Sequence, residues 1–545
     1  MCPESRRLAY LWLKKIEVLM NSYQKKGDGM RDENDLNAAE ISVSCDRRKS
    51  VRPPDPCIIV IFGASGDLTA RKLIPALFEL YLNASLPDNF VIVGASRTSL
   101  DDESFQQRLR DKRPESSLEA DGQWQEFLSR CFYMTLDYDE PIYYGHLRER
   151  LEILDKTYKT GGNRVFYLAI PPGIYPLVAS HLGGAGLAKE GKKGQAWARI
   201  VVEKPFGRDL ESALSLNKVM HKSFAEPQIF RIDHYLAKET VQNILMLRFA
   251  NAMFEPLWNR NYIKYIGILA SEELGVEHRA GYYEKSGVIR DMFQNHMMQL
   301  LALTAMESPS VFEADRVHDE KAKVFRSIKP FSEADPADNL ILGQYGAGTI
   351  AGKKVVGYRQ ESDVDPASLT PTFAMLRLYI DNWRWRGVPF YISSGKRMAK
   401  KKTKIVVQFR NVPHYMFRYL LGENIPANRL ILGIYPQEEI KLSFQAKLPG
   451  AKLDMQTVNM NFQYQDFGRT LDAYSRGILD CIQGEHMLFW RQDGVEQTWK
   501  YLDPILTQCR VCKNKGGEPI KFYKAGSWGP DEALAWMGRI LNVNI

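Results

Sequence analysis

The chain has 545 residues, of which 45% are hydrophobic and 25% charged, and its formal net charge is +8. These values exclude a fibrous or mostly disordered protein, and the length exceeds what one hydrophobic core usually holds, which predicts two domains. The modest positive charge suits an anionic small molecule as well as a nucleic acid, so it does not identify a partner. Seven scattered cysteines favour a reducing compartment.

The first 56 residues predict a flexible N-terminal extension. They are polar and charged after residue 27 and end in the proline-rich stretch Arg52–Pro56, a composition typical of linkers. The apolar run Leu8–Leu13 is too short for a signal peptide or a membrane span, and Val543–Ile545 is not a peroxisomal signal of the Ser-Lys-Leu type. We expect a cytoplasmic protein without membrane contact; import into a peroxisome-like organelle (glycosome) by an uncommon signal stays open.

Four of the cysteines form two features with more than one explanation. Cys2 and Cys45 lie in the extension, where exposed thiols either couple oxidation to activity or belong to an inert tail. Cys509 and Cys512 form a lone Cys-x-x-Cys. Because no second pair or nearby histidine completes a zinc site, we expect no bound metal.

From Cys57 onwards the pattern predicts alternating strands and helices. Short, continuously apolar segments are typical of strands buried on both faces of a parallel sheet, and a helical stretch over 68–82 follows the first of them. The predicted strands are Cys57–Phe62, Phe90–Val93, Arg164–Ile170 and Ala198–Val202. This alternation predicts an α/β, Rossmann-like parallel-sheet domain over residues 57–232.

Beyond residue 232 the predicted strands become longer and partly alternate in polarity. They are Ile263–Glu272, Phe373–Ile380, Thr403–Phe409, Leu430–Ile434 and Glu438–Gln445. Two helical segments, over 238–253 and 286–306, interrupt them. Partial alternation is typical of antiparallel sheets with one solvated face, so we predict a larger α+β domain with a mostly antiparallel sheet over residues 233–545.

A glycine-containing turn joins the first predicted strand to its helix. It reads Gly63-Ala64-Ser65-Gly66-Asp67-Leu68, and glycines here let the backbone approach a pyrophosphate while the helix N-terminus supplies N–H donors. The spacing is Gly-x-x-Gly, not the usual dinucleotide motif, and in isolation a plain turn explains it about as well. Arg97 follows the second strand, where a guanidinium suits a 2′-phosphate and favours NADP over NAD; the alternative is a solvated surface arginine.

Two further segments place charged groups near the end of the predicted parallel sheet. Lys204 lies in Glu203–Gly207, after the last predicted strand and before a proline, where it either reaches the ligand crevice or belongs to an ordinary turn. A cis bond before that proline is one of the conformations open to it. The segment Arg231–Glu239 combines anion-binding groups with an aspartate beside a histidine, whose imidazole it can orient. This pattern suggests a site that binds a phosphate and moves a proton.

Together these motifs resemble those of the glucose-6-phosphate dehydrogenase family. Four stretches occur in the family's order and spacing, namely Gly63–Leu68, Glu203–Gly207, Arg231–Glu239 and Arg290–His296. The resemblance extends over roughly residues 57–540 and leaves only the extension outside it. It implies oxidation of glucose 6-phosphate at C1 to 6-phosphogluconolactone with hydride transfer to NADP, the first oxidative step of the pentose phosphate pathway.

The resemblance also implies a role for each matching side chain. His296 corresponds to the general base that accepts the C1 hydroxyl proton, and Asp233 to the carboxylate that orients it. The residues implied to bind the substrate are Lys204, His234, Tyr235, Lys238, Glu272, Asp291, Lys396 and Lys401. Those implied to bind the cofactor are Gly63, Ala64, Ser65, Gly66, Asp67, Leu68, Lys72, Arg97, Tyr175 and Lys204.

At some positions the chain departs from the family pattern. Lys401 stands where arginine is frequent, and it keeps the charge without the planar fork. Tyr435 stands where some members have a sugar-binding glutamine. Positions that line a second, structural NADP site in some members are uncharged here, namely Val406, Gly433 and Ser443, and we expect that site to be absent or weak.

Three other interpretations compete with this enzyme. The basic run from Lys396 to Lys404 has no interleaved aromatic residues, so a rim around an anionic ligand is favoured over a nucleic-acid surface. Another Rossmann-type sugar oxidoreductase would not need the phosphate-binding histidine, tyrosine and lysine, and a non-catalytic NADP or sugar-phosphate sensor would not need Asp233 and His296. We expect an enzyme that binds glucose 6-phosphate and NADP, contacts no nucleic acid, and forms a homodimer or homotetramer, as the resemblance implies.

Overall fold

The computed structural model describes residues 54–113, 120–191, 195–331, 339–422, 425–451, 453–464, 471–514 and 520–543. The predicted extension, with Cys2 and Cys45, lies outside these residues except for its last three positions. Within the described residues, no helix combines the length and the apolar character needed to cross a membrane.

The strands of the described residues form two large sheets and one short two-stranded hairpin. In chain order the strands are β1 (Cys57–Phe62), β2 (Phe90–Ser96), β3 (Cys131–Thr135), β4 (Arg164–Leu168), β5 (Ala198–Val202), β6 (Ile229–Ile232), β7 (Ile263–Ser271), β8 (Leu340–Gly346), β9 (Gly348–Ile350), β10 (Lys353–Val355), β11 (Phe373–Tyr379), β12 (Pro389–Gly395), β13 (Lys402–Phe409), β14 (Arg429–Tyr435), β15 (Glu439–Lys447), β16 (Met455–Gln463), β17 (Phe489–Trp490) and β18 (Lys521–Lys524).

Helices connect most of these strands. In chain order they are α1 (Ile74–Leu82), α2 (Asp102–Asp111), α3 (Asp121–Ser129), α4 (Ile142–Tyr158), α5 (Tyr175–Gly184), α6 (Leu210–Met220), α7 (Glu239–Phe249), α8 (Ala280–Val288), α9 (Met298–Ala305), α10 (Ala314–Ser327), α11 (Arg418–Leu421), α12 (Ala473–Gln483), α13 (Gln492–Asn514) and α14 (Asp531–Arg539). Two π-helical segments, Thr69–Leu73 and Ile289–Met297, directly precede α1 and α9.

The first sheet is a seven-stranded, mostly parallel layer in the order β17-β6-β5-β4-β1-β2-β3. Every pair in it is parallel except β17 with β6. Strands β1 and β2 are buried at every position, which explains their uninterrupted apolar sequences. The predicted Rossmann-like sheet is confirmed.

The second sheet has nine strands in the order β16-β15-β14-β13-β7-β12-β11-β8-β18. Its pairs are antiparallel except β7 with β12 and β8 with β18. Strand β7 lies in the middle, and only one of its nine residues is exposed. The mostly antiparallel sheet predicted for the second part of the chain is confirmed.

The parallel sheet is completed by residues from late in the chain. In β17, Phe489 pairs with Ile232 and Trp490 with Arg231, and α12 packs against α1. The Arg199 guanidinium donates to the carbonyl oxygen of Cys481 at 2.8 Å. The parallel sheet therefore includes residues from beyond position 232. The predicted domain boundary between residues 232 and 233 stays a prediction.

Candidate active site

A buried pair of side chains, Asp233 and His296, lies at the end of β6. Asp233 directly follows β6, and His296 lies in the π-helical segment Ile289–Met297; π-helical turns of this kind are frequent at functional sites. The two residues are 2% and 1% exposed. The predicted pair is brought together across 63 positions of sequence, with His296 Nδ1 2.5 Å from Asp233 Oδ1.

Asp233 is held as a charged carboxylate. Its Oδ1 also accepts the Tyr235 backbone N–H at 3.0 Å, and its Oδ2 accepts the Trp490 indole N–H at 3.3 Å. Burial alone would raise the pKa of Asp233, but His296, His234 and the hydrogen bond from the Tyr235 N–H hold the pKa below its usual range. A carboxylate in this state fixes the imidazole with its Nδ1–H donated to Asp233.

Lys204 contacts the other nitrogen of the imidazole. Its Nζ lies 3.0 Å from His296 Nε2, 3.1 Å from the backbone oxygen of Asp291 and 3.3 Å from Asp291 Oδ1, and the peptide bond to Pro205 is cis. Burial lowers the pKa of Lys204, but Asp291, Tyr282 and Asp233 together raise it, and the net pKa is raised, so the group is a cation. The hydrogen-bond partners thus assign Nε2 as the acceptor nitrogen of His296.

A second group of cations and aromatic rings lies beside His296. The His234 ring centroid is 4.6 Å from that of His296. Lys238 Nζ lies 4.7 Å from the Tyr235 ring centroid and 5.4 Å from that of Tyr435, and Lys401 Nζ lies 4.3 Å from the Tyr435 centroid. Burial and the charge of Lys401 lower the pKa of Lys238. Two ammonium groups sharing one ring create a positive site suited to a dianion.

Carboxylates and a lysine line the side nearest the second sheet. Lys396 Nζ lies 2.5 Å from Glu272 Oε2 and 3.5 Å from Asp291 Oδ2. Glu272 and Lys396 each follow a strand of the parallel pair β7–β12, whose last residues Ser271 and Gly395 are in register. Because parallel strands end at the same edge, residues 124 positions apart meet there.

The glycine turn is shaped as a nucleotide-binding turn requires. Gly63 has a φ of 83°, and a Cβ there would lie 2.2 Å from the Ala169 carbonyl oxygen, so only glycine fits. Ser65 Oγ accepts hydrogen bonds from Ser96 Oγ at 3.0 Å and Thr98 Oγ1 at 2.9 Å. These bonds tie the turn to the end of β2, which Arg97 follows.

The remaining predicted cofactor residues occupy different environments. Arg97 is exposed, with its guanidinium carbon 5.7 Å from the Tyr138 ring centroid. Gly66, Asp67 and Lys72 are exposed, whereas Ala64 is buried and Leu68 half-buried. Tyr175 is fully buried and donates its hydroxyl to the carbonyl oxygen of Glu203 at 3.2 Å, one residue before Lys204. The direct contact of each with the cofactor stays a prediction.

One group of side chains in the described residues could also hold a metal ion. Ligand atoms of Asp233, His234 and His296 all lie within 4.8 Å of one another, although Asp233 and His296 are already joined by a hydrogen bond. The side chains of Cys509 and Cys512 lie outside the described part. The expectation that the protein binds no metal stays a prediction.

Family models cover both sheets and the segment between them. The model described as glucose-6-phosphate dehydrogenase, NAD binding domain, matches residues 60–243, and the model of the C-terminal domain matches residues 245–541. The chain belongs to the glucose-6-phosphate dehydrogenase family. Membership confirms the resemblance drawn from the four motifs, and with it an NADP-dependent oxidoreductase of carbohydrate metabolism.

Relatives agree along nearly their whole length. The glucose-6-phosphate 1-dehydrogenase of Aggregatibacter actinomycetemcomitans is 46% identical over 489 residues, which span 89% of this chain and 97% of that protein. That of Treponema pallidum is 44% identical over 88% of this chain and 93% of its own. A solved glucose-6-phosphate dehydrogenase in complex with its substrate glucose-6-phosphate is 34% identical, with a TM-score of 0.82 over 90% of this chain and 99% of that chain.

Proposed function

We propose that this site oxidises glucose 6-phosphate at C1 to 6-phosphogluconolactone and passes the hydride to NADP, with His296 as the general base. The observation that carries the proposal is the environment of His296. Its Nδ1 lies 2.5 Å from a charged carboxylate and its Nε2 faces the Lys204 cation at 3.0 Å. Burial and Lys204 outweigh Asp233 and lower the pKa of the imidazole. A neutral imidazole with an unprotonated Nε2 is the form that accepts a proton.

The proposed step accounts for both hydrogens that leave C1 and its hydroxyl. His296 Nε2 takes the C1 hydroxyl proton while the C1 hydrogen leaves as hydride, and the C1–O bond becomes the lactone carbonyl. NADP, when bound, supplies the nicotinamide carbon that accepts the hydride. Asp233 stabilises the imidazolium that forms, and Lys204, displaced from Nε2 by the sugar, stays near C1 through its contacts with Asp291.

The side chains around the pair bind the phosphate and the hydroxyl groups of the substrate. The cluster of His234, Tyr235, Lys238 and Lys401 binds the 6-phosphate, because its cations face one ring and carry the density of positive charge that a dianion needs. Glu272 and Asp291 accept hydrogen bonds from sugar hydroxyls, and Lys396 orients both carboxylates.

The cofactor lies along the turn at the end of β1 in this proposal. Backbone N–H groups of Gly63–Leu68 approach the pyrophosphate, with Lys72 one turn further along. Arg97 pairs with the 2′-phosphate from its exposed position after β2. Tyr175 supports Glu203 and thereby Lys204, which contacts both sugar and cofactor.

We also propose that the protein forms a homodimer or homotetramer through the large sheet. Strand β16 is one of the two edge strands of this sheet, and Met460 and Phe462 on it are 63% and 40% exposed. Long edge strands with exposed apolar residues are sites of association. A cytoplasmic location stays a prediction.

One experiment tests the reaction and separates it from the two alternatives. Formation of the reduced cofactor, NADPH or NADH, is followed by its absorbance with glucose 6-phosphate or free glucose, each with NADP or NAD. We expect the highest kcat/KM with glucose 6-phosphate and NADP. Equal rates with free glucose would favour another sugar oxidoreductase, and binding of both ligands without any turnover would favour a sensor.

A further inference from the structure

Strand β17 brings a tryptophan from late in the chain to the carboxylate that orients His296. Trp490 lies 257 positions beyond Asp233 and donates its indole Nε1–H to Asp233 Oδ2 at 3.3 Å. The other oxygen, Oδ1, accepts from His296 Nδ1 at 2.5 Å and from the Tyr235 N–H at 3.0 Å. The two oxygens of one carboxylate therefore have separate partners, and rotation about its last bond would break both sets.

The indole is itself held in one orientation. It is 2% exposed and stacks on Phe325 of α10, with ring centroids 5.7 Å apart and planes 20° apart. A Cβ at Gly494 would lie 3.2 Å from two carbons of the indole ring, so the missing side chain at that position leaves room for it. The backbone of Trp490 is tied to β6 by its pairing with Arg231.

We propose that Trp490 is a positioning residue of proton transfer, whose indole N–H fixes the orientation of Asp233 and sets the basicity of His296. This inference rests on the proposed function, since it takes His296 as the base. A donor on Oδ2 stabilises the carboxylate charge and weakens its pull on the imidazolium, so the imidazole gives up its proton more readily. The donor also keeps Oδ1 aimed at Nδ1, which fixes Nε2 towards the sugar.

Trp490→Phe removes none of the other charged or titratable side chains that act on the pair. Lys204 and Asp291 lie on the imidazole side, and His234 contacts the same ring. Lys321 of α10 is buried and interacts with Asp233 through its charge. A shift of the pH profile caused by a change at Trp490 therefore reports the lost hydrogen bond.

The test compares Trp490→Phe with Trp385→Phe in the full-length enzyme. Trp385 is fully buried and donates its indole N–H to the backbone oxygen of Ala305 at 2.7 Å, so its variant loses a bond of the same kind away from the carboxylate. For Trp490→Phe we expect kcat to fall about ten- to hundredfold, as losing a hydrogen bond to a charged group implies. KM for glucose 6-phosphate stays unchanged, and the acid limb of kcat/KM moves to higher pH. Trp385→Phe keeps the wild-type kcat and pH profile.

A double-mutant cycle adds a readout that packing alone would not change. In an Asp233→Ala background, Trp490→Phe should lower kcat no further, because its partner is already gone. If the factors by which the two single substitutions lower kcat multiply in the double variant, the proposal is overturned. A lower melting temperature of Trp490→Phe with unchanged kcat and acid limb would also overturn it. If Trp490→Phe does not fold, Phe325→Leu loosens the indole and should move the acid limb in the same direction, and an unmoved limb would overturn the proposal.

The variant His296→Asn shows whether a negative result concerns only the role of Trp490 or the proposed function itself. If His296→Asn retains normal turnover, the general base is wrong and the role of Trp490 falls with it. If His296→Asn is inactive while Trp490→Phe behaves as wild type, only the inference about Trp490 is wrong.

Discussion

At His296, burial and two charged neighbours shift the pKa of one imidazole in opposite directions. Burial and the Lys204 cation lower the pKa of the imidazole, whereas Asp233 raises it, and the first two prevail. The outcome is a ring that is neutral before the reaction and charged only after it accepts a proton. Asp233 then stabilises the product of the transfer more than the ground state, which is what catalysis requires.

We expect His296→Asn to bind glucose 6-phosphate normally and to lower kcat by about two to four orders of magnitude, the contribution typical of a general base. The substrate contacts of Lys238 and Lys401 remain in this variant. Steady-state rates with substrate affinity measured by calorimetry check the prediction. A variant with wild-type kcat would show that another group takes the proton.

Arg97→Ala should weaken NADP far more than NAD. Loss of charge-assisted hydrogen bonds to a 2′-phosphate predicts a rise in KM for NADP of about ten- to hundredfold, while KM for NAD, which lacks that phosphate, changes little. Arg110→Ala is the control, because Arg110 is an exposed arginine of α2. Equal losses for both cofactors would remove the 2′-phosphate assignment.

Lys321 is a buried lysine whose ammonium nitrogen has no hydrogen-bond partner among the described residues. It is 3% exposed, and burial lowers the pKa of Lys321 from 10.5 to about 7. Between these two values the unfolded chain binds a proton that the folded protein does not. The free energy of unfolding therefore rises with pH from about 7 towards 10.5 on account of this group.

Lys321→Met should accordingly be more stable than wild type near pH 7, with a difference that shrinks as the pH rises. Methionine fills similar space and does not need a proton to be removed. Melting temperatures measured at several pH values check this. Lys323→Met on the same helix is the control, because Lys323 is 64% exposed and pairs with Glu320 at the surface. A constant difference at all pH values would contradict the assignment.

The residues of the site were predictable to different degrees. Asp233 and His234 belong to a short motif, and His296 to another, so the family pattern paired them although 63 positions separate Asp233 and His296. The physical pattern alone could not, because a histidine in a helix is usually a packing residue. Trp490 had no local signal at all, since its contact with Asp233 depends on a two-residue strand.

At the scale of elements, strands buried on both faces were the easiest to predict. The bounds of β1 and β5 match the prediction, because apolar side chains at every position leave little choice. Strand β6, four residues long and containing Arg231, was missed. The predicted helices over 68–82 and 286–306 begin or continue as π-helical turns, which the spacing of apolar residues does not distinguish from an α-helix.

The turn between β1 and α1 depends on its first glycine. Gly63→Ala would force a side chain into a left-handed conformation and against the Ala169 carbonyl oxygen, at a cost of about 1–3 kcal/mol. We expect a lower melting temperature and a raised KM for NADP. The control is Gly145→Ala inside α4, where a Cβ meets no atom within 4 Å, and this variant should be slightly stabilised. Unchanged NADP binding in Gly63→Ala would separate the turn from the cofactor.

At the scale of the whole molecule, the edge of the large sheet formed by β16 has one apolar face. On β16, Met460 and Phe462 stand opposite Leu442 and Ile440 of β15, and all four side chains point to the same side because they alternate along their strands. An exposed apolar surface on an edge strand favours burial against another copy.

We expect the double variant Met460→Lys with Phe462→Lys to lower the oligomeric state, because it places two charges on this face. Light scattering coupled to size-exclusion chromatography measures the mass. Asn461→Lys is the control, since Asn461 is exposed on the opposite face of the same strand. An unchanged mass in the double variant would place the interface elsewhere.

Because β17 pairs with β6, the order of synthesis limits when the parallel sheet can be finished. A ribosome needs about ten to fifty seconds to add the 257 residues between Asp233 and Trp490. During that interval β6 is an open edge, with backbone groups available to other strands. Asp233 likewise lacks its indole donor until Trp490 has been synthesised. The nascent protein therefore contains its cofactor turn early, and its proton-transfer site is complete only close to the end of translation.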